Sequence, residues 1–393
     1  MEYRSRTWSP ATGVALVFTV CFALTVFAGS ARSQTYEVLH SFTGGSDGGG
    51  PFSGLLTLDP QGNIYGTTMH GGAFGRGTLF QLNAENDITV LHAFTGGADE
   101  SQPYGGVIRD VEGNLYGTTA GGFGSGSPFG TVFELATTGT FTNLYTFQGG
   151  NDGAYATGGL IQDAEGNLYG VTNEGGEFGF GTVFEVNQAG KERILYSFHN
   201  LPDGHFPVYE TLAMDPNRNL YGTTWDGGAF NQGTVFKVNA TTGKEEILHS
   251  FGGSGDGAWP ASGLLLDAKG NLYGTTSNGG IAHAGTIFKL GPTGKETLLH
   301  KFGGRGDGVC PYGSLLRDAN GDFYGTTTIG GANDDGTVYR LTGNGQETVL
   351  HSFDWSDGDT PYGGLVQDAA GNLYGTTAAG GTSNFGTIFK IMP

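Results

Sequence analysis

Asp267-Ala-Lys-Gly-Asn-Leu-Tyr-Gly-Thr-Thr276 is one of seven related stretches in this chain of 393 residues. The tyrosines that mark the seven copies are Tyr65, Tyr116, Tyr169, Tyr221, Tyr273, Tyr324 and Tyr374. Successive tyrosines are 51, 53, 52, 52, 51 and 50 residues apart. A regular period of this length indicates an internal structural repeat, which determines the fold of the whole chain.

Each copy of the repeat contains four stretches with strand character. In the fifth copy they are Gly263–Asp267, Asn271–Thr276, Gly285–Leu290 and Glu296–Phe302. Gly270 ends the short connection between the first two, which is typical of a tight hairpin with a left-handed residue. Residues 34–393 contain no amphipathic helical pattern. We therefore predict four strands of five to seven residues in every copy.

Seven copies of a four-stranded unit predict an all-β fold: a single seven-bladed β-propeller with four antiparallel strands per blade. The two ends of the repeat region fit together in this fold. Tyr36–Phe42 has the sequence of a fourth strand, and Gly386–Ile391 has that of a third strand. We predict that residues 36–42 join the last blade and close the ring, which removes its open edges. An open β-solenoid fits less well, because its rungs are usually shorter.

Residues 1–33 lie outside the repeat and have the layout of a secretory signal peptide. Arg4 and Arg6 precede an apolar run at residues 13–28, and small residues follow the run. We expect cleavage to leave residues 34–393, one β-propeller domain, as a secreted or periplasmic protein without membrane insertion. The alternative is an uncleaved membrane anchor, for which the apolar run is short.

The composition restricts the partners. The formal net charge is −19, and loss of residues 1–33, which carry three arginines and one glutamate, would make it −21. Such a protein repels nucleic acid and anionic membrane surfaces, whereas neutral and cationic ligands remain possible. Cys310 is the only cysteine of residues 34–393, so the core has to stabilise them without an intramolecular disulfide. We expect a monomer with no cofactor.

The order of the motifs resembles known repeat families. Gly-Leu-Leu-x-Asp followed by Gly-Asn-Leu-Tyr is similar to the first two strands of NHL-type propeller blades, which implies that the Gly-Leu-Leu strand is innermost. Gly-Asn-Leu-Tyr-Gly-Thr-Thr, Gly-Thr-Val-Phe and Leu-His-Ser-Phe together resemble the GloVer tandem repeat of secreted bacterial proteins, over residues 36–391. This resemblance implies export and a repeat architecture, and it implies no particular activity.

Two polar positions recur in most copies, and we interpret them as scaffold. A histidine of the fourth strand is replaced by tyrosine in two copies: His40, His92, Tyr145, Tyr196, His249, His300 and His351. An aspartate follows in the loop to the next first strand: Asp47, Asp99, Asp152, Asp203, Asp256, Asp307 and Asp357. We predict hydrogen bonding or packing for the histidines and turn formation for the aspartates. We predict no metal site, because the dense aspartate pattern of an EF-hand loop is absent.

Residues that break the repeat are free to serve function, and they collect in two sets of loops. One set joins the fourth strand to the next first strand and the other joins the second strand to the third, so both lie on one face of a propeller. One position just before the first strand is filled in turn by Gly50, Gln102, Tyr155, Phe206, Trp259, Cys310 and Thr360. Three adjacent copies are aromatic there, and Trp225 lies in the second loop set. We predict a ligand-binding arc of Tyr155, Phe206, Trp225 and Trp259.

Three acidic residues occur in the same sector: Glu174, Glu210 and Asp226. Aromatic faces beside carboxylates suit a neutral carbohydrate, which offers apolar C–H surface and hydroxyl donors. We therefore predict an exported binding or scaffold protein with a glycan or protein ligand and no catalytic residue. The alternatives are a glycan-cleaving hydrolase or lyase, in which two of these acids act as acid and base, and a structural protein of the cell envelope. A further alternative is that the aromatic residues only pack around the channel.

Overall fold

The computed structural model describes residues 34–52, 54–122, 128–199, 201–207, 211–253, 255–303 and 306–392. These residues form β-strands and no helix. Within this part of the chain there is accordingly no helix of the length and apolar character needed to cross a membrane. The predicted signal peptide, residues 1–33, lies outside the described residues.

Seven antiparallel sheets of four or five strands are formed, one for each copy of the repeat, and each of them is one blade. Two further sheets of two short strands lie in the loops. The first strands of blades 1 to 7 are Thr57–Leu58, Ile108–Arg109, Ile161–Gln162, Ala213–Met214, Leu265–Leu266, Leu316–Arg317 and Val366–Gln367. The second strands are Ile64–Thr68, Leu115–Thr119, Leu168–Thr172, Asn219–Thr224, Leu272–Gly279, Phe323–Thr327 and Leu373–Thr377.

The outer half of each blade consists of the third and fourth strands. The third strands are Thr78–Leu82, Thr131–Leu135, Thr182–Val186, Thr234–Asn239, Thr286–Leu290, Thr337–Leu341 and Thr387–Met392. The fourth strands of blades 1 to 6 are Ile88–Ala93, Phe141–Thr146, Glu192–Ser197, Glu245–Ser250, Glu296–Lys301 and Glu347–Ser352. Blade 7 takes its fourth strand, Thr35–Ser41, from the N-terminal part of the chain.

The predicted seven-bladed β-propeller is therefore confirmed, but the predicted length of its first strands is wrong. Regular pairing of the first strand covers two residues in every blade rather than five to seven. The physical reason is crowding at the inner edge of the sheets, where the blades meet. A Cβ atom on Gly54 of blade 1 would lie 2.5 Å from the backbone nitrogen of Gly106 in blade 2. Where glycine starts the first strand, as in blades 1 and 2, it is held against the neighbouring blade, and the strand has only the second strand to pair with.

The recurring sequence Asp-x-x-Gly-Asn-x-Tyr is explained by hydrogen bonds to its aspartate. In blade 5 the Asp267 carboxylate accepts bonds from the backbone N–H of Lys269 at 2.9 Å and from the Tyr273 hydroxyl at 3.0 Å. It also accepts bonds from the backbone and side-chain N–H groups of Asn271, at 2.9 and 2.8 Å. Gly270 has φ +76°, the left-handed conformation predicted for this turn. Desolvation raises the pKa of Asp267, but the bonds from Asn271 and Tyr273 outweigh it and lower the pKa to about 2.

A second repeated network confirms the hydrogen-bonding role predicted for the histidines. In all seven copies the ring nitrogen or hydroxyl of the fourth-strand residue lies 2.8 to 3.2 Å from the aspartate of the following loop. The pairs are His40–Asp47, His92–Asp99, Tyr145–Asp152, Tyr196–Asp203, His249–Asp256, His300–Asp307 and His351–Asp357. Each pair fixes the loop that leads from the outer edge of one blade to the inner edge of the next.

The hydrophobic core consists of seven clusters, each between two adjacent blades. Between blades 4 and 5, for example, Phe251 packs with Leu272 and Phe288. The Phe288 ring lies directly over Gly274, where an added Cβ would come within 2.8 Å of the ring. This contact explains why the motif has glycine between its tyrosine and its threonines, since any side chain would displace the phenylalanine.

The N-terminal strand closes the ring as predicted. Thr35–Ser41 pairs antiparallel with Thr387–Met392, so the exposed edge of the last third strand is covered. One of the seven core clusters then packs Phe42 of blade 7 against Leu56 and Phe80 of blade 1. Backbone pairing within blade 7 and side-chain packing between blades 7 and 1 thus complete the ring.

Candidate functional site

The two loop sets that carry the predicted site are paired with each other. In blade 4, Gly204–His205 of the loop before the first strand pairs with Asp226–Gly227 of the loop after the second strand. In three other blades a single pair of residues forms the equivalent bridge: Gly49 with His70, Ala154 with Glu174, and Asp359 with Ala379. In blades 5 and 6 short strands pair: Gly257–Pro260 with Leu272–Gly279, and Gly308–Val309 with Ile329–Gly330. Both sets therefore share one face of the ring, which we call the loop face. The Asp-x-x-Gly-Asn turns lie on the opposite side, which we call the hairpin face.

The variable position before the first strand has the same unusual backbone conformation in all seven blades. Its φ lies between +50° and +63° at Gly50, Gln102, Tyr155, Phe206, Trp259, Cys310 and Thr360. Aromatic and β-branched residues rarely adopt this left-handed conformation, which costs them on the order of 1 kcal/mol or more. The surrounding hydrogen bonds hold them there. The N–H of Phe206, for example, donates to the Phe180 carbonyl of blade 3, and the Phe206 carbonyl accepts from the Trp225 N–H of blade 4, both at 3.0 Å.

The loop face carries most of the large apolar side chains that remain exposed. Nine of the eleven such residues among the described part of the chain lie in its loops: Phe74, Phe178, Leu201, Phe230, Trp259, Ile281, Ile329, Trp355 and Phe385. The other two, Val38 and Val111, lie on an outer strand and a hairpin turn. The loop face is therefore the first place to search for a binding site.

Trp225 and Trp259, two residues of the predicted arc, are brought together. Their rings are within 9° of parallel, with centroids 6.1 Å apart. Tyr312 of blade 6 also stacks on Trp225, again with centroids 6.1 Å apart and planes within 18° of parallel. Trp259 is 37% exposed. The three rings form an open row across blades 4, 5 and 6, which we call the tryptophan row.

The other two residues of the predicted arc have different places. Tyr155 is buried, 3% exposed, with its ring near Phe129 of blade 2. The ring of Phe206 packs against Phe180 and His205 rather than against the tryptophans. Phe206 nevertheless positions the tryptophan row, because its carbonyl holds the backbone of Trp225.

Sequence reasoning missed Tyr312 and the aromatic residues that continue from it towards blades 7, 1 and 2. Tyr312 contacts Tyr362, which stacks on Phe52, and Phe52 contacts Tyr104, with centroid distances of 5.4, 4.3 and 5.5 Å. The available signal was a proline-aromatic pair that follows the variable position in these four copies: Pro51-Phe52, Pro103-Tyr104, Pro311-Tyr312 and Pro361-Tyr362.

The three predicted acidic residues, Asp226, Glu174 and Glu210, have different surroundings. Asp226 directly follows Trp225, and desolvation raises the pKa of its carboxyl group, an effect that nearby His205 partly offsets. Glu174 is exposed on the loop of blade 3, and Glu210 lies outside the described residues. His205, which sequence reasoning did not select, is 8% exposed, and its Nδ1 atom is buried with no hydrogen-bond partner among the described residues. Asp226, which adjoins Trp225 in the chain, is thus paired through the backbone with His205 on the loop face.

The hairpin face has depressions, but the motif aspartates that line them already have partners. One depression of about 660 Å³ between blades 2 and 3 is lined by residues that include Arg109, Asp110 and Asp163. Asp110 and Asp163 are the motif aspartates of their blades, and each accepts several bonds from its own hairpin. The depression is therefore a gap between scaffold turns, and the loop face is the better candidate for a binding site.

The comparisons with solved structures agree with the fold. A streptogramin B lyase is 15% identical with a TM-score of 0.61, and the match covers 91% of this chain and 97% of that one. Virginiamycin B lyase from Staphylococcus aureus is 14% identical with a TM-score of 0.61, covering 92% and 99%. Oligogalacturonate lyase from Vibrio parahaemolyticus is 13% identical with a TM-score of 0.56, covering 92% and 94%. At such identities the likeness shows the fold alone.

The comparisons with sequences give the family. No curated protein matches the chain. The family model described as Gloeobacter/Verrucomicrobia repeat matches residues 57–271 and 219–393, which together include all seven motif tyrosines. The family resemblance seen in the motifs is confirmed, and the chain belongs to the Gloeobacter/Verrucomicrobia repeat family.

Proposed function

We propose that this β-propeller is an exported carbohydrate-binding protein whose ligand lies on the tryptophan row of the loop face. The observation that carries the proposal is the near-parallel arrangement of Trp225 and Trp259, with Asp226 next to Trp225 in the chain. Indole faces stack on the C–H surface of a sugar ring, and a carboxylate accepts hydrogen bonds from its hydroxyl groups. An open row of rings, rather than a closed cavity, suits a chain of sugar units.

The negative charge of the protein restricts the class of glycan that it can bind. With a formal net charge of −19 for the whole chain, a strongly anionic polysaccharide would be repelled at long range. A neutral glycan would meet no such barrier and would be held by stacking and hydrogen bonding, which depend little on salt. We therefore expect a neutral glycan whose affinity changes little with ionic strength.

The test is a glycan-array screen of residues 34–393 followed by calorimetry on any glycan found, with Trp259→Ala and Trp355→Ala as variants. Trp355 is a matched control, because it is 52% exposed on the same face but belongs to blade 7. We expect Trp259→Ala to abolish binding and Trp355→Ala to preserve it. The proposal is wrong if no glycan binds, or if both variants bind as the parent protein does.

A second candidate function is glycan cleavage, and one observation favours it. Asp226 is desolvated beside His205, whose Nδ1 is unpartnered, so a proton donor and a proton acceptor lie at the edge of the same surface. Fold likeness to lyases adds no residue-level argument. An Asp226→Asn variant of a cleaving enzyme would bind glycan but release no products, whereas the same variant of a binding protein would have no turnover to lose. Chromatography of the glycans after incubation distinguishes the two.

A further inference from the structure

The outer edges of adjacent blades meet at a repeated cluster of polar residues. Each cluster contains the histidine–aspartate or tyrosine–aspartate pair of one blade and the side chain at the start of the fourth strand of the next blade. That third side chain is Ile88, Phe141, Glu192, Glu245, Glu296, Glu347 and Tyr36 in blades 1 to 7. The aromatic members stack on the histidine: Phe141 lies 3.9 Å from His92, and Tyr36 lies 3.7 Å from His351.

Two of the seven clusters combine histidine, aspartate and glutamate. They lie between blades 4 and 5, with Glu296 as the third residue, and between blades 5 and 6, with Glu347. In the first of them the ligand atoms of His249, Asp256 and Glu296 all lie within 4.8 Å of one another, and no other group of three such residues in the described part of the chain does so.

The geometry of the cluster between blades 4 and 5 resembles that of a three-ligand metal site. Nε2 of His249 lies 3.1 Å from Oδ2 of Asp256. Bonds of about 2.0–2.2 Å to a tetrahedral ion place two ligand atoms about 3.3 Å apart, so this pair needs almost no adjustment. The Asp256 side chain is 9% exposed and is oriented further by a bond from the Gly257 N–H to its second oxygen.

The third side chain needs a partner that the protein does not supply. Oε1 of Glu296 is buried and has no hydrogen-bond partner among the described residues. A carboxylate held against another carboxylate in a poorly solvated interface is repelled unless one of the two takes up a proton or a cation lies between them. A cation bound by both would remove the repulsion and satisfy the free oxygen.

We propose that His249, Asp256 and Glu296 form a binding site for one divalent first-row transition metal ion of the Zn²⁺ type, which links blade 4 to blade 5. One imidazole nitrogen and two carboxylate oxygens suit such an ion, whereas Ca²⁺ and Mg²⁺ favour oxygen ligands alone. Water would take the fourth position. Asp256 belongs to the loop that also carries Trp259, but none of the three ligands is part of the tryptophan row. The ion therefore has a structural role that does not depend on the proposed glycan function.

The histidine prediction from the sequence is extended by this proposal. The predicted hydrogen bond between His249 and the loop aspartate is present, as in the other copies. What distinguishes this copy is that the ligand atoms of the pair and of the glutamate from the next blade lie within 4.8 Å of one another, which no inspection of a single repeat would show.

The repeat supplies its own substitutions for the test. His249→Tyr introduces the residue that fills the same position as Tyr145 and Tyr196, so the variant is expected to fold, and Glu296→Gln is a second, nearly isosteric change. His40→Tyr is the matched control, because His40 pairs with Asp47 at an interface whose third residue is Ile88. Calorimetric titration with ZnCl2 after chelator treatment measures the binding, and thermal unfolding with and without ZnCl2 measures the stabilisation.

We expect the parent protein and the His40→Tyr variant to bind one equivalent of Zn²⁺. The His249→Tyr and Glu296→Gln variants should bind no Zn²⁺, or should bind it more than about tenfold more weakly, because even outer-shell changes at metal sites reduce the affinity that much. The same two variants should lose the Zn²⁺-dependent rise in melting temperature. The proposal is overturned if the parent binds no Zn²⁺, or if His249→Tyr and His40→Tyr have the same isotherm, which would indicate adventitious binding by surface histidines.

Discussion

The ring of Tyr36 lies flat on the imidazole of His351, with centroids 3.7 Å apart and planes 4° apart. Tyr36 belongs to the N-terminal strand and His351 to blade 6, so one stacking contact joins the closing strand to the blade beside it. The Tyr36 hydroxyl also donates a hydrogen bond of 3.0 Å to the Asp357 carbonyl. Closure of the ring therefore involves contacts beyond the strand pairing within blade 7.

Tyr36→Ala should destabilise the closed propeller more than any comparable substitution on the outer strands. Loss of this half-buried aromatic ring is expected to lower the free energy of unfolding by about 2 kcal/mol, less than for a fully buried one. Tyr36→Phe keeps the stacking and removes only the hydroxyl, so it should cost about 1 kcal/mol. Urea denaturation measures both, and equal losses for the two variants would show that the stacking contributes nothing.

Glu192 and Glu245 should make the stability depend on pH. Each lies at the interface of a tyrosine–aspartate pair, and burial, followed by the charge of Asp152 or Asp203, raises its pKa to about 7. The folded state therefore binds a proton more tightly than the unfolded state. The resulting stabilisation is fully present below the unfolded pKa, about 4.3, and is lost as the pH rises through 7.

The measurement is the melting temperature between pH 5 and pH 8 in the presence of a chelator. Glu192→Gln should flatten the decline, because glutamine stays neutral and cannot be repelled by Asp152. Glu112→Gln, at an exposed hairpin position, should leave the decline unchanged. A decline of the same size in all three proteins would contradict the assignment to Glu192.

Asp267 should give the stability the opposite dependence on pH. Its bonds to Asn271 and Tyr273 outweigh desolvation and lower its pKa to about 2, so its contribution is present above the unfolded pKa and is lost as the pH falls towards 2. Asp267→Ala is expected to cost about 2 kcal/mol at pH 7, the scale of bonds to a charged group. Denaturant unfolding at pH 7 and pH 2.5 should show that the difference between parent and variant shrinks in acid. An unchanged difference would mean that packing, not the charge, is lost.

Substitution by glycine at the left-handed position before the first strand should stabilise the protein in some blades and destabilise it in others. Thr360 is β-branched at φ +50°, whereas the same position in blade 1 is Gly50. Thr360→Gly relieves the strain and should stabilise the protein by up to about 1 kcal/mol, after the greater chain entropy of glycine is subtracted. Tyr155→Gly relieves the same strain but removes a buried ring, so it should destabilise by about 3 kcal/mol. Two shifts of the same sign in thermal unfolding would contradict this division.

The fold could be predicted from the sequence because the same local chemistry is repeated seven times. Asp267, Asn271 and Tyr273 bond within one hairpin, so their spacing alone carries the information. The short first strands could not be predicted, because they result from contact between Gly54 and Gly106 of different blades. The repeat period does not encode how closely two blades approach.

The candidate site was only partly accessible to sequence reasoning for a similar reason. Departure from the repeat selected Trp225 and Trp259, which do lie together. It also selected Tyr155, which is buried, because an unusual residue can serve packing as well as recognition. Tyr312 was missed because aromatic residues fill its position in several copies and resemble scaffold, and its contact with Trp225 crosses from blade 4 to blade 6.

Tyr312 provides the sharpest test of whether the tryptophan row acts as one surface. Its ring stacks on Trp225, so Tyr312→Ala should weaken glycan binding by roughly tenfold, the loss of about 1.4 kcal/mol of stacking. Tyr312→Phe should bind nearly as well as the parent, since the face of the ring is retained. Tyr104→Ala removes an aromatic residue from the far end of the same series, in blade 2, and should not alter affinity. Calorimetry with the glycan found on the array measures all three, and equal losses at positions 312 and 104 would mean that the rings stabilise the inner loops rather than contact sugar.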